Sequence, residues 1–289
     1  MTRHIAVLHC DKPIDIIYDK HGDLGDLCCK LLDDTGTIKF PNVKYDVFIP
    51  GESVEIETEL SKIYVDLLTK IESKEIVGIF LSGSREDSFA EDLWIKKLDD
   101  FLKKVFQLED FPISGVCFGH QIICKNLGFK VGRNPEGWEI GTTTINLNTE
   151  IFSIGKLQWI KFLKDELKVE NHLTEHLNLA EIHADVVFGL NSSSSSISNA
   201  TSSKFISIGS TSKCSIQGII TESGPIKVLT FQGHPEFSKE VTLDMLNNVK
   251  NLGFLDANAF EKSCYNTNIL NNQGPTIGKF IAEFFNTLG

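Results

Sequence analysis

Two rhythms alternate along the first half of the chain. Short, near-continuous apolar runs occur at residues 5–9, 46–50, 77–81 and 113–117. Between them, apolar residues recur at intervals of three and four. Leu24, Leu27, Cys28, Leu31 and Leu32 fall on one helical face, and Ile63, Leu67, Leu68 and Ile71 mark a second face within residues 60–71. The longest amphipathic stretch, residues 89–108, carries Phe89, Leu93, Trp94, Leu98, Phe101 and Val105 on its apolar side. A further helix is predicted over 118–127 and closed by Gly128. Strands apolar on both faces, alternating with helices, predict a mostly parallel sheet covered on both sides.

The second half is richer in strands, expected at 142–147, 205–208, 215–220 and 228–231, with helices at 240–252 and 278–285. Three segments read as additions to a minimal domain. These are an acidic loop at 52–59, a helix within 156–176 carrying Leu157, Ile160 and Leu163, and a serine-rich stretch beginning at Asn191. The serine-rich stretch lacks the apolar residues needed to pack, so a flexible loop over 191–204 is expected. No internal repeat or second core is evident, and the pattern fits one domain over residues 1–289. Its core spans about 43–237 and its C-terminal helices lie within 238–289.

Composition narrows the function classes. The net charge is −11 and no basic stripe stands out, which disfavours a phosphate backbone as partner. No apolar run is long enough to span a bilayer, so no membrane partner is expected. The first apolar run is too short for a signal peptide. Seven cysteines at irregular spacing, an odd number, read as reduced thiols in a cytoplasmic protein rather than a disulfide framework. Cys28 and Cys29 have no metal-type spacing and read as residues of a helix face.

Candidate chemistry lies at the fourth apolar run, which leads into Gly115-Val116-Cys117-Phe118-Gly119-His120-Gln121. A cysteine at a sharp strand-to-helix turn, with glycines two residues away on each side, is a nucleophile-elbow pattern. The helix that follows points its positive N-terminal end at the sulfur, favouring thiolate. The Phe118 amide then faces a carbonyl under attack, as an oxyanion donor. Far downstream, the last apolar strand ends in His234-Pro235-Glu236. Side chains two apart in extended chain point the same way, so Glu236 can orient His234, and His234 can act as base and acid for Cys117.

These residues resemble the class I (triad-type) glutamine amidotransferases. The family's Gly-x-Cys-x-Gly-x-Gln and His-Pro-Glu motifs are matched by Gly115 to Gln121 and His234 to Glu236. Its GMP-synthase-like branch has a Gly-x-Glu-x-Gly stretch, matched at Gly137, Glu139 and Gly141, and a His-x-Asp-x-Val element, matched at His183, Asp185 and Val187. The resemblance implies a three-layer, flavodoxin-like α/β sandwich with the site at the C-terminal ends of its strands. It implies Cys117, His234 and Glu236 as catalytic residues, and Phe118 with the Gly83–Ser84 region as the oxyanion hole. It implies substrate contacts from Gln121, His183 and Asp185, and no cofactor or metal. The activity it implies is hydrolysis of the γ-glutamyl amide of glutamine through a thioester, releasing glutamate and ammonia. A separate synthase subunit would be the ammonia acceptor. Two alternatives stay open: a stand-alone γ-glutamyl peptidase acting on glutathione-like small molecules, and a catalytically idle binding module. The related DJ-1/PfpI-type group shares the cysteine elbow but uses different partners.

Overall fold

The computed structural model describes residues 2–154, 158–169, 172–173, 175–189 and 198–289. Its centre is a seven-stranded sheet in the order Lys204–Ser207, Gly218–Ser223, Lys227–Phe231, Pro112–Val116, Ile76–Leu81, His4–His9 and Asn42–Asp46. The last five strands run parallel, and the first two are antiparallel additions. The connection from Gly218–Ser223 to Lys227–Phe231 is a tight turn through Gly224, at φ 104°, and a turn that short can only reverse the chain.

Helices cover both faces, giving the three-layer α/β architecture that the alternation predicts. The strand His4–His9 shows why its residues are apolar throughout. Ala6 and Leu8 enter the core beneath the helices Val54–Glu72, Leu93–Val105 and Phe118–Asn126. Ile5 and Val7 enter the opposite core, beneath Leu24–Asp33 and Gly274–Leu288. Fully buried side chains such as Trp94 and Phe101 each contribute about 2–3 kcal/mol of burial free energy. Pairing places Leu8 beside Leu81, Leu81 beside Gly115, and Gly115 beside Thr230. The C-terminal ends of four adjacent strands therefore open at one level.

Several elements differ from expectation. The second strand is Asn42–Asp46 rather than 46–50, because this edge strand alternates polar and apolar residues. Phe48 and Ile49 pack against the core from an irregular segment instead. The acidic stretch 52–59 is mostly helix, since Val54–Glu72 starts where Ser53 Oγ accepts the Ile56 amide at 3.3 Å, with Glu55 and Glu57 in the first turn. The long amphipathic helix is shorter than its apolar pattern, at Leu93–Val105.

Within 156–176 the helix is only Gln158–Glu166, followed by the short strands Lys168–Val169 and His172–Leu173. Next comes His176–His183, which pairs along its length with Glu139–Leu147 in a separate three-stranded sheet completed by Gly209–Ser210. Lys130–Arg133 pairs with Asp185–Phe188 in a two-stranded sheet. The helix Ala257–Ile269 was not legible in the periodicity, because its buried positions are Ser263 and Thr267 rather than an apolar stripe. Of the expected serine-rich loop, residues 191–197 lie outside the described residues. Its end is regular, with a short helix at Ser198–Thr201 and the edge strand starting at Lys204. Among the described residues, no helix is long and apolar enough to cross a membrane.

Candidate active site

Cys117 stands between the strand Pro112–Val116 and the helix Phe118–Asn126, at φ 50° and ψ −109°. That conformation costs a non-glycine residue on the order of 1–3 kcal/mol and persists only where its surroundings enforce it. The Cys117 amide donates to Phe231 O at 2.9 Å, and its carbonyl accepts from the Gln121 amide at 3.0 Å. Phe118 is anchored by stacking on Trp94, with ring centroids 5.4 Å apart. The flanking glycines are steric necessities. A Cβ on Gly115 would lie 2.7 Å from the Gly119 carbonyl carbon, and one on Gly119 would lie 2.5 Å from Leu81 O.

His234 is presented after the neighbouring strand Lys227–Phe231. Its amide donates to Ala180 O at 2.7 Å, its ring stacks on Phe237 with centroids 4.2 Å apart, and its Nδ1 donates to Glu236 Oε1 at 2.7 Å. Asn272 Nδ2 donates to Phe237 O at 2.7 Å and to His234 O at 3.3 Å. Gly274, which opens the last helix, lies against Pro235 O so closely that a side chain there has no room. His234 is buried, which alone would lower its pKa. The charge of Glu236, then that of Cys117, with which it shares a side-chain hydrogen bond, outweigh burial and hold it well above the ordinary histidine value.

The segment after the strand Ile76–Leu81 is fixed from the end of the first strand. Ser82 Oγ accepts from the Cys10 amide at 3.0 Å and donates to Gly83 O at 2.9 Å. Arg85 grips the buried Asp11 carboxylate through Nε and Nη2, both at 2.9 Å. Gly83 thereby lies beside both Cys117 and His234, and Ser84 lines the cavity above the sulfur.

Glu139 and His183, in separate motifs of the sequence, meet in the structure. His183 Nε2 lies 3.2 Å from Glu139 Oε2 and 3.3 Å from Glu181 Oε2, and Nδ1 donates to Asp185 O at 3.0 Å. Burial opposes charge on His183, but the two carboxylates outweigh it and raise the imidazole to about 10. Burial lifts Glu181 to about 7. With both nitrogens committed, His183 borders the cavity as part of this ionic network. Asp185 also lines the cavity, its Oδ1 3.2 Å from Arg133 Nε. Burial pushes the Asp185 carboxyl up to about 6 against the guanidinium. Gln121 reaches the cavity while its Nε2 donates to Asp185 O at 3.1 Å and Gln232 Oε1 at 3.2 Å.

Two groups of described residues could hold a metal ion. Glu139, His183 and Cys214 bring ligand atoms within 4.8 Å of one another, as do His9, Asp23 and Asp46. In the first group Cys214 Sγ donates to Ile216 O, and burial pushes its thiol well up, which disfavours the thiolate a metal would need.

Cys117 and His234 open into one cavity of about 400 Å³. Its polar lining includes Ser84, Arg85, Gln121, Arg133 and Asp185. Its apolar lining includes Ile14, Leu24, Phe237, Met245 and Val249, which pack in one cluster. Sequence reading missed Arg85, Arg133 and this apolar wall. The stripe Val241, Met245 and Val249 was visible as one face of a helix, but nothing in its spacing separates a cavity wall from core.

The class-I glutamine amidotransferase model matches residues 42–250. The chain belongs to the class-I glutamine amidotransferase family. It is 31% identical over 291 residues to a Saccharomyces cerevisiae protein whose name marks it as a provisional glutamine amidotransferase, covering 98% of each chain. It is 31% identical over 186 residues to γ-glutamyl peptidase 2 of Arabidopsis thaliana, covering 64% of each. Among solved structures, a glutamine amidotransferase from Thermotoga maritima shares the fold with a TM-score of 0.57 at 14% identity, covering 99% of this chain and 98% of the other.

Proposed function

We propose that this chain hydrolyses γ-glutamyl amide bonds through a thioester on Cys117. The observation that carries the reading is the placement of His234 between Glu236 and a strained cysteine at a helix N-terminus. The Cys117 sulfur attacks the γ-carbonyl carbon. An S–C bond forms, the C–N bond breaks, and His234 delivers a proton to the departing nitrogen. Water, losing a proton to His234, then adds to the thioester carbon, the C–S bond breaks, and glutamate leaves. Glu236 holds the imidazole by its Nδ1 proton and offsets its positive charge.

For the oxyanion, the Phe118 amide begins the helix and is free of an intrahelical acceptor. The second donor we assign is the Ser84 amide. Gly83 O is tied to Ser82 Oγ, and in a trans planar peptide the N–H of the next residue points the opposite way. Gln121, Asp185 and Arg133 form the polar end suited to an α-ammonium and an α-carboxylate, and His183 holds Asp185 in place through its carbonyl.

γ-Glutamyl peptides fit this site better than free glutamine, because His234, which delivers the proton to the departing nitrogen, adjoins apolar lining that ammonia would leave unfilled. The relatives named γ-glutamyl peptidase support the same choice. Supply of ammonia to a separate synthase is the second reading, favoured by the 35% identity over 85 residues to one component of a glutamine-hydrolysing GMP synthase from Methanococcus aeolicus. Glutamate release by the purified chain, from glutamine and from a γ-glutamyl dipeptide in parallel, tests the proposal. Turnover of the dipeptide that disappears in Cys117→Ala is expected. Turnover that survives Cys117→Ala refutes the thioester, and activity on neither substrate favours the idle module.

A further inference from the structure

Glutamine and γ-glutamyl peptides share the glutamyl half and differ in what leaves. The cavity lining is likewise of two kinds. Gln121 and Arg133 are polar and both bonded to Asp185, whereas His234 adjoins an apolar group. The His234 ring stacks on Phe237, and Phe237 packs in one apolar cluster with Ile14, Leu24, Met245 and Val249. The wall continues outward to Leu252, 61% exposed, and Phe254, 56% exposed, whose ring lies 5.6 Å from that of Trp138. Asn248 is the one polar side chain that the helix Lys239–Asn251 contributes to the cavity. Ammonia has nothing to place against such a wall, and neither has a glycine-type amine.

Resting on the hydrolase reading above, we infer that the amine half of the substrate carries a bulky apolar or aromatic group next to the scissile amide, packed against Phe237, Met245, Val249, Leu252 and Phe254. The group that protonates the departing nitrogen is also the one stacked on the wall, so an amine released at His234 has its substituent directed along that surface. The partly exposed outer rim, Leu252 and Phe254, would be covered by the substrate itself. Matching an apolar side chain to an apolar pocket discriminates by roughly tenfold to a few hundredfold.

The test compares kcat/KM of the full chain for γ-glutamyl-phenylalanine, γ-glutamyl-glycine and glutamine, each with the Cys117→Ala control. Expected is a preference of at least about tenfold for γ-glutamyl-phenylalanine over the other two. Leu252→Asn and Phe254→Ser, at positions exposed enough not to endanger folding, should bring the phenylalanine-to-glycine ratio towards one, chiefly through KM. Cysteine-dependent turnover with no preference for phenylalanine overturns this inference and leaves the hydrolase reading intact. A preference unchanged in both variants also overturns it. No cysteine-dependent turnover of any of the three removes the hydrolase reading, and the inference with it.

Discussion

Gly83 stands so close to His234 that a methyl group on its Cα would come within 3.0 Å of the imidazole Cε1. The same methyl group would lie 3.7 Å from Cys117 Cβ. Gly83→Ala should therefore displace the imidazole by a few tenths of an ångström while leaving the core untouched. Small misplacements in a reacting geometry cost up to about a hundredfold. We expect kcat for γ-glutamyl hydrolysis to fall between about tenfold and a hundredfold, with an unfolding midpoint close to that of the parent. Full activity in Gly83→Ala would show that the loop gives way and that the contact carries no positional information.

The backbone strain at Cys117 is a stability prediction. Glycine adopts φ 50° without penalty, whereas alanine does not. Cys117→Gly should abolish activity, as should Cys117→Ala. Between these two inactive variants, glycine should be the more stable in urea denaturation by on the order of 1 kcal/mol. Equal stabilities, or a more stable alanine variant, would mean that the elbow stores no such strain.

Glu236 acts on the pH profile. Its carboxylate is the leading influence holding the buried His234 imidazolium above the ordinary range. Activity that needs this proton is lost as pH rises through the folded pKa. In Glu236→Gln the attraction is gone, the pKa falls, and the alkaline limb of kcat/KM should move to lower pH. An alkaline limb that stays in place would assign it to a different group.

His183 links the ionic network to folding. Its pKa is about 10 in the folded chain against 6.5 for an ordinary histidine. Below the lower value both folded and unfolded chains hold the proton. Between the two only the folded chain does, so its stabilising contribution is complete below about pH 6.5 and drains away towards pH 10. His183→Gln leaves the buried Glu139 carboxylate without its cation and should cost about 3–5 kcal/mol at pH 6. The gap from the parent should narrow steadily on titration to pH 10. A gap independent of pH would mean that packing, not charge, is what the substitution removes.

What could be read from the chain beforehand follows the range of the interactions involved. The central strands and the helices Leu24–Asp33 and Leu93–Val105 declare themselves through local periodicity. The candidate residues Cys117 and His234-Pro235-Glu236 do so through two short motifs, each contained in a few consecutive positions. The strand His176–His183 was hidden, although Leu177 and Leu179 alternate with polar neighbours, because the apolar positions then shift to Ala180 and Ile182 while Glu181 and His183 are buried. The junction of Glu139, Glu181 and His183 was hidden because it joins separate segments of the chain, as was the apolar wall.

The family match ends at residue 250, yet Asn272 holds the carbonyls of His234 and Phe237, and Gly274 seats the last helix against Pro235. The clamp on the histidine loop is thus supplied from outside the matched region. A graft of residues 42–250 onto another scaffold would carry every motif and still leave the His234 loop without its backstop. The final forty or so residues are the portion a domain-swap or minimal-core experiment must bring along.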